Sequence, residues 1–320
     1  MLWHKLGKIF DVNTHGLDFD VNLYAQGPQA VVLGDYIRIY FSTRRVDPVN
    51  GKFYSDVAFI DMDKSFKKIV GHSQKPVLPL GDLGTFDEHG IFPISPMRHN
   101  GEIWAYTTGW SRRSSVSVET STGLAISKDN GTTFERYGTG PVLTSSLQEP
   151  MLVGDSFVRE YNGAYHMWYM FGKKWGVATG NEPPARVYKL AYANSPDGIH
   201  WHKEEAVQIV PDVLDETECQ ALPTVIKIGD RYHMYFCYRH STDFRVNAER
   251  GYRLGYAWSD DLKNWTRDDS RKGIELSEND WDSEMMCYPN LFEIEGKIYL
   301  LYNGNEFGKH GFGIAELVSA

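Results

Sequence analysis

The sequence predicts an all-β chain folded as a five-bladed β-propeller, with the ring closed by its N-terminal strand. Three observations carry this expectation. One hairpin pattern recurs five times, at intervals of about 65 residues, which leaves room for about four strands per unit. A polar turn followed by an aromatic residue ends three of the units. The last unit stops one strand short, and the run from Leu2 to Phe10 supplies a strand for it.

The hairpin turns come first. They read Gly34-Asp35, Asn100-Gly101, Asn162-Gly163, Gly229-Asp230 and Glu295-Gly296. Gly, Asn and Asp accept the positive φ that tight hairpins need. Each turn is followed by a second strand rich in aromatic and apolar residues, at 36–42, 103–107, 165–171, 232–238 and 298–302. A third strand then leads into a polar turn, at 127–134, 195–201 and 259–265. Ser and Asp side chains bond their own backbone there, and Phe134, Trp201 and Trp265 are placed to pack between neighbouring units. The segment 61–66 is a degenerate first copy, and the last unit ends at 311–317.

No Pro/Gly/Ser-rich linker interrupts the repeat, so residues 1–320 are read as a single propeller domain. The formal net charge of −9 argues against nucleic acid or an anionic membrane as partner. The three cysteines lack metal-ligand spacing and make no disulfide framework; Cys237 reads as core, while Cys219 and Cys287 are placed to line a pocket. There is no basic-then-apolar leader and no run able to span a bilayer. The expectation is a cytoplasmic protein without membrane insertion, metal or cofactor. The oligomeric state is not legible.

In a propeller the innermost strand starts at the ligand face and the second strand returns to it. Residues before first strands and after second strands should therefore converge on one axial cleft. The first set is acidic: Glu88, Glu149, Glu218 and Glu284, with Asp155 as a second candidate in the third unit. Glu88, Glu218 and Glu284 share a Glu-x4-Pro spacing, while the first unit has Gln26 and Pro28 instead of an acid. The second set is cationic, aromatic and amide. It contains Arg44, Trp110, Trp175, Arg239, His240, Asn303 and Asn305, with His89 beside them. Aromatic faces suit sugar rings, and Arg or Asn forks suit hydroxyls, carboxylates or phosphates. An isolated acid at a strand end is ordinarily structural; several in register are more informative than one.

These residues also carry a resemblance. The segments 25–28, 40–44, 84–88, 123–127, 281–289 and 302–305, with the strand pattern Tyr-His-Met-Tyr-Phe at 232–236, resemble the five-bladed propeller glycosidases. Those are the invertase and arabinanase/xylosidase-like groups and the mannoside phosphorylases. The sequence looks most like glycosidase-like propellers of surface-polysaccharide gene clusters. The resemblance implies a general acid at Glu218 and an orienting acid at Glu149 or Asp155. The families' base precedes the first-blade Pro, where this sequence has Gly27-Pro28. A hydrolase needs two carboxylates, so Glu88, Glu284 or Asp20 would have to serve.

Three functions follow: a glycoside hydrolase of polysaccharide metabolism, acting on a carbohydrate or sugar-phosphate ligand, with an acidic, phosphorylated or nucleotide- or lipid-linked sugar suited to the cationic rim; a non-catalytic carbohydrate-binding propeller; and a phosphorylase, in which one acid suffices and Arg44, Arg239 or Lys173 holds phosphate. Hydrolysis is the leading expectation.

Overall fold

The computed structural model describes residues 1–15, 23–176 and 184–320. Its strands form five antiparallel sheets, the blades of a propeller. Blade 1 runs Leu23–Leu33, Tyr36–Val46, Val57–Asp63 and Ile69–His72. Blade 2 runs Gly90–His99, Glu102–Arg112, Val118–Ser127 and Glu135–Arg136. Blade 3 contains Gly154–Tyr161, Ala164–Trp175, Arg186–Ser195 and His202–Lys203. Blade 4 contains Cys219–Ile228, Arg231–Arg239, Arg253–Ser259 and Thr266–Arg267. Blade 5 contains Cys287–Ile294, Lys297–Asn303 and Phe312–Ser319, and its outer strand is Leu2–Phe10. All five hairpin turns fall where the Gly, Asn and Asp pairs place them. The innermost strands touch one another in sequence around the ring, and the fifth touches the first.

The closing strand is held at both ends. Leu2–Phe10 pairs antiparallel with Phe312–Ser319. The Trp3 indole donates to the Tyr235 hydroxyl of blade 4 at 2.7 Å, and Phe10 packs on Phe41 of blade 1 at 5.1 Å.

The polar turns join each blade to the one before it. Gly131, Gly198 and Leu262 donate their backbone N–H to the hydroxyls of Ser127, Ser195 and Ser259. The following aromatics meet the preceding blade edge-on: Phe134 on Tyr40 at 5.7 Å, Trp201 on Tyr106 at 5.7 Å and Trp265 on Trp168 at 6.1 Å. Each such pair is worth about 0.5–1.5 kcal/mol beyond its buried area. Tyr40 and Tyr106 also donate to the carbonyls of Gly131 and Gly198, at 2.7 and 2.9 Å. A Cβ at Gly131 would lie 2.0 Å from the Tyr40 hydroxyl, so this approach requires glycine.

One irregularity sets the site. Every innermost strand carries a two-residue bulge at the same register: Gly27-Pro28, Phe92-Pro93, Asp155-Ser156, Leu222-Pro223 and Tyr288-Pro289. Proline, which cannot donate to the ladder, fits the unpaired second position in four of them. The first position is held at positive φ in Gly27, Asp155, Leu222 and Tyr288. For the last three this is a strained conformation.

Candidate functional site

At the axis lies a cleft of about 430 Å³, a size suited to a small ligand. Three structural positions build it. Phe92, Asp155, Leu222 and Tyr288 come from the bulges, with Gln26 just before the first. Arg44, Trp110, Met170 and Arg239 come from second strands. Thr120, Arg186 and Tyr188 come from the starts of third strands, Phe244 and Arg245 from a loop, and Phe307 from the short 3-10 turn Asn305–Gly308.

The charges are unbalanced. Arg44, Arg186, Arg239 and Arg245 all line the cleft, and Asp155 is the one carboxylate among its described lining residues. None of the four guanidiniums makes an ion pair among the described residues. Arg44 donates from Nε to Gln26 at 2.8 Å. Arg239 is only 3% exposed. It donates to the Tyr188 hydroxyl at 2.8 Å and lies 3.5 Å over the Phe244 ring, but its Nε has no partner among the described residues. The Oγ1 of Thr120 is likewise buried and unpartnered there. Burial pushes Arg245 below its ordinary value, and the neighbouring charges of Arg239 and Arg186 add to this. Burial also lowers Arg44, with Arg186 contributing. Burial raises the Asp155 carboxyl to about 7, against the opposing pull of Arg186 and the Leu222 backbone. Asp155 therefore keeps its proton up to near-neutral pH, where ordinary aspartates do not. Burial raises Tyr188 to about 12 and keeps Tyr252 and Tyr288 neutral.

The expected acids are distributed differently. Asp155 lines the cleft, and Glu218, Glu149, Glu88 and Glu284 do not. Glu218 is fully buried at the start of blade 4. It pairs with Arg267 at 2.6 Å and accepts from the backbones of Val213 and Leu214 and from Gln220. Glu149 is fully buried, held by Lys203 at 2.7 Å, by Tyr169 and by the Ala206 backbone. Glu88 accepts from the Gly84 backbone and meets His89 at 3.1 Å. Glu284 is exposed. The shared Glu-x4-Pro spacing thus describes loop residues. The axial residue is the one directly before each Pro, and at the fourth blade it is Leu222. Asp20 lies outside the described residues.

Of the other expected residues, Gln26, Arg44, Trp110 and Arg239 line the cleft. His89 lies outside it, stacked between Tyr54 and Trp110 at 5.8 and 6.0 Å. Trp175 packs on the core beside blade 4. His240 sits 4.0 Å from Asp215. Asn303 ties Gly27 N–H to the carbonyls of Ala25 and Gly311, and Asn305 accepts from the backbones of Glu284 and Met285. These two serve ring closure and a loop. Cys219 and Cys287 are core residues and do not line the cleft. Arg186, Arg245 and Tyr252 were not expected. Third strands also start at the ligand face, which is the signal that would have found Arg186 and Tyr252. Among the described residues no group of three His, Cys, Asp or Glu is placed to hold a metal, and no helix is long and apolar enough to cross a membrane.

No family model matches the sequence. It is 32% identical over 318 residues to the uncharacterized proteins MT1551 and Rv1502 of Mycobacterium tuberculosis, covering 99% of this protein and 99% of each of them. Over 104 residues it is 28% identical to a β-1,2-mannobiose phosphorylase of Thermoanaerobacter sp., spanning 32% of this protein and 33% of that one. Among solved structures it resembles BT0996 in an RGII complex, with TM-score 0.72, 18% identity and 99% and 92% of the two proteins covered. It also resembles the GH43_1 enzyme of Xanthomonas citri, with TM-score 0.62, 15% identity and 97% and 90% covered. The protein belongs to the family of the two mycobacterial proteins and has the five-bladed propeller fold of the GH43-type glycoside hydrolases.

Proposed function

We propose that the protein is a glycoside-active enzyme that cleaves its substrate by phosphorolysis. The observation that carries this reading is the composition of the cleft. One carboxyl group, protonated up to near-neutral pH, faces four guanidiniums that have no carboxylate partner among the described residues. Hydrolysis by the usual route needs two carboxylates, one as acid and one as base or nucleophile. Phosphate is itself a nucleophile and needs only to be held and aimed. Arginine forks bind its oxygens bidentately, and a partly enclosed site makes that attraction stronger than in water.

In this reading Arg186, Arg239 and Arg245 hold phosphate against the anomeric carbon. The sugar ring lies among Phe92, Trp110 and Tyr288. A phosphate oxygen forms the new bond to the anomeric carbon as the glycosidic C–O bond breaks. The bonding pair leaves on the glycosidic oxygen, which takes the proton of Asp155. The products are a sugar 1-phosphate and a free alcohol, and Asp155 regains its proton from solvent. The partial similarity to a mannobiose phosphorylase agrees with this chemistry.

The test is turnover of a panel of glycosides with and without inorganic phosphate, following sugar 1-phosphate. Phosphate-dependent product, lost in Asp155→Asn, is expected. Undiminished release of free sugar in phosphate-free buffer would return the hydrolytic reading. Sugar binding without turnover under either condition would leave a binding propeller.

A further inference from the structure

A second cavity opens beside the axial cleft. Arg44, Phe53 and Trp110 line both, so the two are continuous. Its remaining described wall is mainly cationic and hydroxylic: Lys52, Arg112 and Arg113, followed by Ser114, Ser115 and Ser117, with Val116 and Pro184 as its apolar members. In a protein of net charge −9 this is a concentration of positive charge against the background.

The cations differ in their ties. Arg112 is fixed: it donates to the Phe53 carbonyl at 2.6 Å and lies 4.6 Å over the Tyr54 ring. Arg113 has one distant acidic neighbour, Glu119 at 3.7 Å, and its side chain is 56% exposed. Glu119 is shared: its Oε1 accepts from the Leu152 backbone N–H at 2.6 Å, and its Oε2 faces Arg113. Lys52 is exposed and makes no side-chain bond to a described residue. Two loosely tied cations, one fixed guanidinium and a run of serine hydroxyls present many donors, with no carboxylate among the described residues of this wall. A tetrahedral dianion uses such a set better than a planar carboxylate does, because it offers more acceptor oxygens and twice the charge.

We propose that this outer groove binds a phosphoryl group carried by the substrate itself, so that the enzyme acts on a phosphorylated glycoside. The inference rests on the phosphorolytic reading of the inner cleft. There the arginines take the attacking phosphate, and Phe53 with Trp110 forms the apolar floor that a sugar crosses between the two anion sites. The shared chemistry is a phosphate ester, either a monoester on a sugar hydroxyl or a diphosphate link.

Calorimetric titration of the full-length protein with inorganic phosphate, at physiological salt, tests this. The variants are Lys52→Ala/Arg113→Ala for the groove and Arg245→Gln for the cleft. Neither removes a hydrogen bond to another described residue. Two phosphate sites are expected in the wild type. The double variant should lose one of them by roughly tenfold or more in affinity, and Arg245→Gln should weaken the other. A single site that responds to Arg245→Gln and is untouched by the double variant would overturn the groove and leave the cleft reading standing. A single site with the opposite response would support the groove and remove the cleft reading. No binding at all would overturn both. Titration with glucose 6-phosphate and with uridine diphosphate then separates the sources: the one whose affinity falls in Lys52→Ala/Arg113→Ala and is unchanged in Arg245→Gln is the kind the groove binds, and an affinity unchanged by the double variant for both would overturn the groove.

Discussion

Replacing Asp155 by Asn should harm catalysis and help stability, and the stability gain should depend on pH. The folded-state carboxyl titrates at about 7, against an ordinary value of 3.8, with burial as the main cause. Below pH 3.8 the folded and unfolded states both hold the proton, and the contribution of this group is fully present. As pH rises the unfolded state ionises first, and the contribution is lost until the folded carboxyl follows near pH 7. The difference between 3.8 and about 7 corresponds to a loss of about 4 kcal/mol. Asn has the same shape and does not titrate. Relative to wild type, Asp155→Asn should therefore gain stability by up to about 4 kcal/mol between about pH 4 and about pH 8. Urea denaturation at both pH values measures this without any substrate. On a substrate, the loss of a general acid should cost about 10²–10⁴ in rate. Wild-type turnover should fall as pH rises above about 7. A stability difference independent of pH, together with full activity in the variant, would refute the placement of Asp155 as a buried, protonated acid.

Other outcomes follow from the same contacts. Arg267→Met leaves the buried Glu218 carboxylate without its ion pair at 2.6 Å and should cost about 3–5 kcal/mol in chemical denaturation, with phosphate affinity unchanged; a loss under about 1 kcal/mol, within the range of exposed pairs, would contradict this. Gly311 has φ +82, and a Cβ there would lie 1.8 Å from the Phe10 carbonyl oxygen, so Gly311→Ala should strain the ring closure and lower the melting temperature. Trp110→Ala should weaken sugar binding more than phosphate binding, because the indole offers an apolar face and no charge; equal losses for both ligands would argue against a sugar over that ring.

The ring was legible because local chemistry specifies it. Asn162-Gly163 and Gly229-Asp230 mark their hairpins, and Ser195 with Asp197 forms its own turn. The closing role of Leu2–Phe10 followed from counting strands. The site was half legible. Strand direction made Arg44, Trp110 and Arg239 candidates, Gln26 stood at the first-unit position that lacks an acid, and Asp155 was the second candidate at an ambiguous strand start; these five line the cleft and the other acids do not. The prolines at 93, 223 and 289 mark bulges, and the side chain aimed at the axis belongs to the residue just before each of them. The Glu of each Glu-x4-Pro run stands further back, in the loop that leads into the strand. Glu218 looked catalytic because acids at strand starts also anchor loops, and an ion pair such as Glu218 with Arg267 joins positions 49 residues apart with no local signature. Arg245 and Phe244 reach the cleft from a loop, where no periodicity reports direction.

The most direct test of the central claim is a crystal structure of the protein soaked with inorganic phosphate. The account predicts phosphate in the axial cleft, within hydrogen-bond distance of Arg239 and Arg245, with Asp155 facing the space beside it. A cleft without phosphate, in which a second carboxylate such as Asp20 stands about 6.5–9.5 Å from Asp155, would contradict it and describe an inverting hydrolase.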